Sequence, residues 1–120
     1  MKSQRSDRLR LQDILDAMAE IDRYFPMERA AFDANPLLQS HIFRHVMIVG
    51  EAAFRLSKEL KASNPQIPWI EIEGMRHILV HDYFKVDWEI VYTTAHSDIP
   101  KLKPRIEAAL ASLPPDEHPA

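Results

Sequence analysis

Residues 35–61 read NPLLQSHIFRHVMIVGEAAFRLSKELK, and this stretch decides the fold. Leu38, Ile42, Val46, Val49, Ala53, Leu56 and Leu60 recur every three or four positions. That spacing lays an apolar stripe along one side of an α-helix, in the manner of a coiled-coil seam. Asn35 offers an N-cap oxygen, and Pro36 suits the first helical position, where a backbone N–H has no partner to lose. A long helix to about Lys61 is therefore expected, with Asn64, Pro65 and Pro68 forming the loop after it.

The pattern repeats outward from there. Leu11, Ile14, Met18, Ile21 and Phe25 predict a helix from about Ser6 to Phe25. Pro26 ends it or opens a short helical turn from Met27 through Phe32. On the other side, a helical segment covers roughly Pro68 to Tyr83, with Gly74 as a place for a bend or break. Asp87 can cap a helix to about His96. Ser97-Asp98-Ile99-Pro100 then reads as a kink or a new start, and a last helix runs to about Leu113. Four or five helices with short connections make an all-α, up-and-down bundle. Residues 1–113 are expected to form one domain, and the proline-rich tail 114–120 to be disordered.

Composition narrows the class. The chain has 120 residues, enough for a single core, with 46% hydrophobic residues and two glycines, which favours helices over a turn-rich β fold. With no cysteine there is no disulfide framework and no thiolate zinc site. A formal net charge of −3 argues against a general polyanion-coating protein, and no DNA partner is expected. A local basic groove remains open, built from Arg44, Arg55, Arg76, Lys85, Lys101, Lys103 and Arg105. No apolar run has the length of a membrane span, and the N-terminus lacks a signal-peptide core. A cytoplasmic protein is expected.

Chemistry concentrates in Arg76-His77-Ile78-Leu79-Val80-His81-Asp82-Tyr83. Arginine is a forked phosphate ligand that keeps its charge, and histidine moves protons near neutral pH. Together, without cysteine, they point to phosphate-ester chemistry. On an ideal helix Arg76 and His81 stand about 140° apart and do not share a face, whereas His77 and His81 do, and so do Arg76 and Tyr83. Three routes bring Arg76 and His81 together: a bend near Gly74, the reach of the arginine, or two copies meeting across a two-fold axis.

Plainer readings stand beside these. Arg76 can be an ion-pair partner for Glu71 or Glu73, His81 a satisfied and partly buried histidine, and Tyr83 a core-edge residue whose hydroxyl finds a partner. His41/His45 and His77/His81 are both i,i+4 pairs, and four imidazoles would converge if their helices packed side by side. No carboxylate-bearing zinc signature accompanies them, so no metal and no cofactor is expected. His81-Asp82 is also the dipeptide of metal-dependent HD phosphohydrolases, with His41 or His45 and Asp98 as remote partners, but the flanks do not fit that class. Trp69 and Trp88 read as structural anchors at helix starts rather than base-stacking platforms.

Arg76, His81 and Tyr83 form R-x4-H-x-Y. With Ile67-Pro68-Trp69, Gly74-Met75-Arg76, Leu79 to Phe84 and Val86-Asp87, and upstream Ile48 to Ala53 and Arg55-Leu56-Ser57, the chain resembles the HepT-like branch of the HEPN superfamily from about Arg8 to Leu113. The resemblance implies a HEPN-like bundle, a homodimer with the motif near the interface, and a metal-independent endoribonuclease. In that reading the ribose 2′-hydroxyl is the nucleophile, His81 transfers the proton and Arg76 holds the phosphate, with a 2′,3′-cyclic phosphate as product. His77 stands where the family most often shows asparagine, and would orient phosphate or ribose. Arg44 and Glu51 would line the same cleft, Glu51 positioning Arg76. The resemblance further implies a toxin paired with an MNT-type nucleotidyltransferase antitoxin that attaches AMP to Tyr83. A non-catalytic HEPN partner subunit of a nucleotidyltransferase is the competing expectation, and a metal-dependent phosphohydrolase a more distant one.

Overall fold

A computed structural model describes residues 5–78 and 86–114. Every regular element among them is helical: α1 (Asp7–Asp22), α2 (Arg29–Asp33), α3 (Pro36–Phe54), α4 (Lys58–Ser63), α5 (Trp69–Ile78), α6 (Trp88–Thr93) and α7 (Ile99–Ala111). A π-helical segment, Thr94–Asp98, joins α6 to α7, so residues 88–111 form one unbroken helical rod. The fold is an all-α, HEPN-like bundle. Helices α1, α3 and α5 and the rod lie within the segments expected to be helical, and α2 is the short turn expected after Pro26.

Helix α3 is the central beam, packed by α1 on one side and α5 on the other, while α7 lies along α1. The two sequence stripes supply much of the core, joined by Ile72 and Met75 of α5 and Ile99, Leu102 and Ile106 of α7. Leu11, Ile14, Met18 and Ile21 of α1 are fully buried, as are Ile42, Val49 and Ala53 of α3. Each of these side chains larger than alanine contributes roughly 1.5–3 kcal/mol if fully removed from water. The caps form where the sequence places them: Asn35 accepts from the Leu38 N–H at 3.1 Å and Asp87 from the Ile90 N–H at 3.2 Å. The tryptophans serve as anchors. Trp69 is buried and its indole N–H donates to the Asn64 carbonyl, while Trp88 packs edge-on against Phe32 and Phe43.

Two expectations need correction. The long helix does not run to Lys61. It stops at Phe54, and α4 begins anew with Ser57 as its cap. The cause is long-range: Asp7, in the first turn of α1, accepts from both the backbone N–H and the hydroxyl of Ser57. Leu56 and Leu60 still reach the core from the second helix. Nor does Gly74 break its helix, since α5 passes through it uninterrupted. The kink expected at Ser97–Pro100 is the π-helical segment. Proline lacks the N–H and its ring crowds the carbonyl four residues back, and a widened turn relieves that crowding without ending the rod. The expected continuation of α5 to Tyr83 and the expected disorder of the tail fall on residues outside those described, apart from Pro114.

Candidate functional site

Helices α3 and α5 approach each other tightly at Gly50. A Cβ built there would lie 2.5 Å from the Arg76 backbone nitrogen and 3.2 Å from its Cα. Backbone cannot yield the way a flexible side-chain end can, so only glycine allows this approach. One turn further along α3, Phe54 lies under the Arg76 side chain, with the guanidinium carbon 3.7 Å from the ring centroid. This is a cation–π stack on a ring 45% exposed. The backbone of Arg76 is thus set by Gly50 and its side chain by Phe54.

The Arg76 Nε is buried and has no hydrogen-bond partner among the described residues. Nor does Arg76 have a carboxylate partner among the described residues. Glu73, one of the two acids considered for it, is held by Lys61 at 2.7 Å. Arg8 shares the buried, unpartnered Nε, but its guanidinium donates to the Leu113 and Pro114 carbonyls at 2.8 and 2.9 Å and so ties down the end of α7. Arg76 has no such bond among the described residues. A cation with an unmet donor, backed by an aromatic face, has the chemistry to receive an anion.

His77, the next residue, is exposed in the last turn of α5. Arg44 is exposed on α3. Glu51 does not position Arg76; its carboxylate bonds Arg55 at 2.9 Å, and it lines a different cleft. The expected basic groove is only partly assembled. Arg55 is spent on Glu51 and Lys103 on Asp22, whose hydrogen bond and charge raise the Lys103 pKa. Lys101 and Arg105 do line a groove of about 590 Å³ between α5 and the rod, together with Gly74, Met75, Thr94 and Asp98. His81, Asp82, Tyr83 and Lys85 lie outside the described residues. Gly50 and Phe54 were not singled out from the sequence as site residues. The signal for Gly50 was available: a glycine inside an apolar helical seam costs about 1 kcal/mol against alanine and marks close packing.

A second cleft, of about 490 Å³, opens between α1 and α3 and is lined by Arg10, Asp13, Asp16, Glu20, His45, Glu51 and Arg55 among others. Its acidic rim makes it a poor path for a phosphodiester chain. Here the histidines of α3 are engaged. His41 Nε2 is 3.2 Å from a Glu20 oxygen, and His45 Nδ1 is 2.8 Å from the His41 carbonyl. Desolvation pushes the Glu20 carboxyl up, but the Arg23 charge and the hydrogen bonds from Arg23 and His41 outweigh it and hold the group below its usual range. Of the four histidines weighed for convergence, His81 lies outside the described residues; the side-chain partner of His41 is Glu20.

Residues 14–109 match the family model described as ribonuclease HepT-like. The chain is 34% identical over 104 residues to "Putative RNase MJ1216" of Methanocaldococcus jannaschii, covering 86% of each chain. It is 35% identical over 105 residues to "Probable ribonuclease HepT" of Thermococcus cleftensis, covering 86% of this chain and 94% of the relative. A third relative, "Putative RNase TTE0752" of Caldanaerobacter subterraneus, is 37% identical over 79 residues, 66% of this chain and 70% of that one. No solved structure gives a significant match.

Proposed function

The chain belongs to the ribonuclease HepT-like family, which makes it an endoribonuclease, and we propose that it cuts RNA without a metal ion through Arg76 and His81. The observation that carries this reading is the Arg76 guanidinium: stacked on Phe54, buried at Nε, and with no acceptor for that nitrogen among the described residues. It needs an anion of the phosphate kind to complete its hydrogen bonding. His81 takes the proton from the ribose 2′-hydroxyl or returns one to the leaving 5′-oxygen, a role worth ~10²–10⁴-fold. Arg76 steadies the charge that grows on the phosphorane oxygens, and a 2′,3′-cyclic phosphate results. His77 and Tyr83 orient the substrate, with Arg44 as a more distant phosphate contact.

A homodimer places two such sets around one cleft. In the cytoplasm the protein acts as the toxin of a toxin–antitoxin pair, and an MNT-type nucleotidyltransferase silences it by attaching AMP to Tyr83, whose added phosphate then competes for Arg76. No described helix is long and apolar enough to cross a membrane.

The test is RNA digestion in chelator by wild type, Arg76→Ala and His81→Ala, each checked for folding by circular dichroism. Both variants should be inactive and folded. Full cleavage by folded His81→Ala would refute the mechanism. Mass spectrometry of the protein co-expressed with its adjacent gene product tests the modification; an unmodified Tyr83 in a neutralised complex counts against it.

A further inference from the structure

We propose that Glu20, His41 and His45 bind one divalent ion of the zinc type between α1 and α3, away from the Arg76 centre. One donor atom from each of the three residues lies within 4.8 Å of the other two, and all three side chains are half-buried. The closest pair, His41 Nε2 and Glu20 Oε1, is already 3.2 Å apart. Two ligands held at about 2.0–2.1 Å around a tetrahedral ion stand about 3.3 Å from each other. The hydrogen bond between them is therefore at ligand–ligand spacing, and an ion takes the place of its proton.

His45 is prepared in the way metal-binding histidines are. A carbonyl oxygen only accepts, so the 2.8 Å contact to His41 O fixes the proton on His45 Nδ1 and leaves Nε2 with its lone pair free. The i,i+4 spacing brings the two imidazoles together, with ring centroids 4.4 Å apart. Tyr24 packs edge-on against the His41 ring, 5.5 Å between centroids, and restricts its rotation. Two imidazoles and one carboxylate select a borderline ion over magnesium or calcium, which take mostly oxygen ligands, and over soft copper(I), which takes sulfur. Glu20 and His45 also line the acidic cleft, so a fourth position faces solvent and the ion is exchangeable rather than sealed.

The site is separate from the nuclease reading by position. His45 and Glu20 share a cleft with α1 residues, whereas Arg76 backs onto Gly50 at the seam with α5. The experiment therefore measures binding and not cleavage. Untagged full-length chain, stripped with chelator and dialysed, is titrated with zinc chloride by calorimetry, and its melting temperature is followed with and without zinc. One ion per chain should bind in the micromolar range or tighter and raise the melting temperature. His41→Ala, His45→Ala and Glu20→Gln should each weaken binding by more than the roughly 10–100-fold that losing an outer-shell partner costs. His77→Ala should bind as wild type does. Cobalt(II) in place of zinc should give the visible absorption of a four- or five-coordinate ion, lost in Glu20→Gln. Millimolar binding, or micromolar binding that survives both His45→Ala and Glu20→Gln, overturns the assignment.

Discussion

Helix α3 meets charge differently on its two long sides. Toward α1, the ionisable groups are answered within the protein: His41 by Glu20, His45 by a carbonyl, Glu51 by Arg55. Toward α5, the guanidinium of Arg76 rests on Phe54 with a buried Nε that no described residue answers. Leaving a buried polar group unpaired typically costs about 1–3 kcal/mol. The α1 side is therefore complete as it stands, and a cation enters it only by replacing a proton. The α5 side carries a deficit that an incoming anion relieves. Arg8 has a like deficit but offsets it with two carbonyl bonds; Arg76 has no such bond among the described residues, which favours a functional role for it.

The largest effect should come from removing that deficit. Arg76→Met keeps a long side chain on the Phe54 ring but deletes the orphan donor. RNA cleavage should fall by about 10²–10³-fold, the usual loss when a group that stabilises transition-state charge is removed. Urea unfolding should show unchanged stability or a gain of about 1 kcal/mol, since the unpaired group goes with it. A variant that loses both activity and several kcal/mol would mean that Arg76 is a structural residue after all, and the contrast between the sides would collapse.

The two glycines extend the comparison to backbone. A Cβ at Gly50 meets the Arg76 nitrogen at 2.5 Å, whereas one at Gly74 meets nothing within 4 Å. Gly50→Ala should push α5 off α3 and cost about 1–3 kcal/mol, as overpacking does. It should also lower cleavage by displacing Arg76. Gly74→Ala should raise stability by up to about 1 kcal/mol through helix propensity alone. Denaturant melts of the two variants, measured side by side, decide it. Equal effects would show that the seam yields more than its geometry implies.

The parts of this molecule that were legible in the sequence are those set by local periodicity. The α1 and α3 stripes, the Asn35-Pro36 start and the Asp87 cap all follow from residues within a few positions of one another. The break after Phe54 was not legible, because Asp7 imposes it from the far end of the chain. The same holds at both clefts. R-x4-H-x-Y marked Arg76, but not that Phe54 lies beneath it or that Gly50 sets its backbone. The i,i+4 spacing paired His41 with His45, but it could not show that Glu20 of α1 stands beside them. Short-range chemistry was readable, and which neighbour answers a charge was not.

Asp7→Ala removes the acceptor of both Ser57 bonds while leaving the Ser57 cap on α4 in place, and should cost about 1 kcal/mol. Hydrogen exchange at the start of α4 should rise with it. An effect confined to global stability, with no local opening at α4, would mean that the break after Phe54 is held by something other than Asp7.

The smallest expected effect bears most directly on the division between the two sides. Arg55 and Glu51 form an i,i+4 pair with side chains 56% and 48% exposed, so water screens it and Arg55→Ala should change stability by no more than about 0.5 kcal/mol. Arg55 belongs to the acidic cleft, and its loss makes that cleft more acidic still. If RNA runs along the α5 side, over Arg76 and toward Lys101 and Arg105, cleavage should not respond. Were Arg55→Ala to slow cleavage while leaving the fold unchanged, the RNA path would have to cross the α1 side. The acidic rim would then be part of the nuclease, and the assignment of anion to one side of α3 and cation to the other would fail.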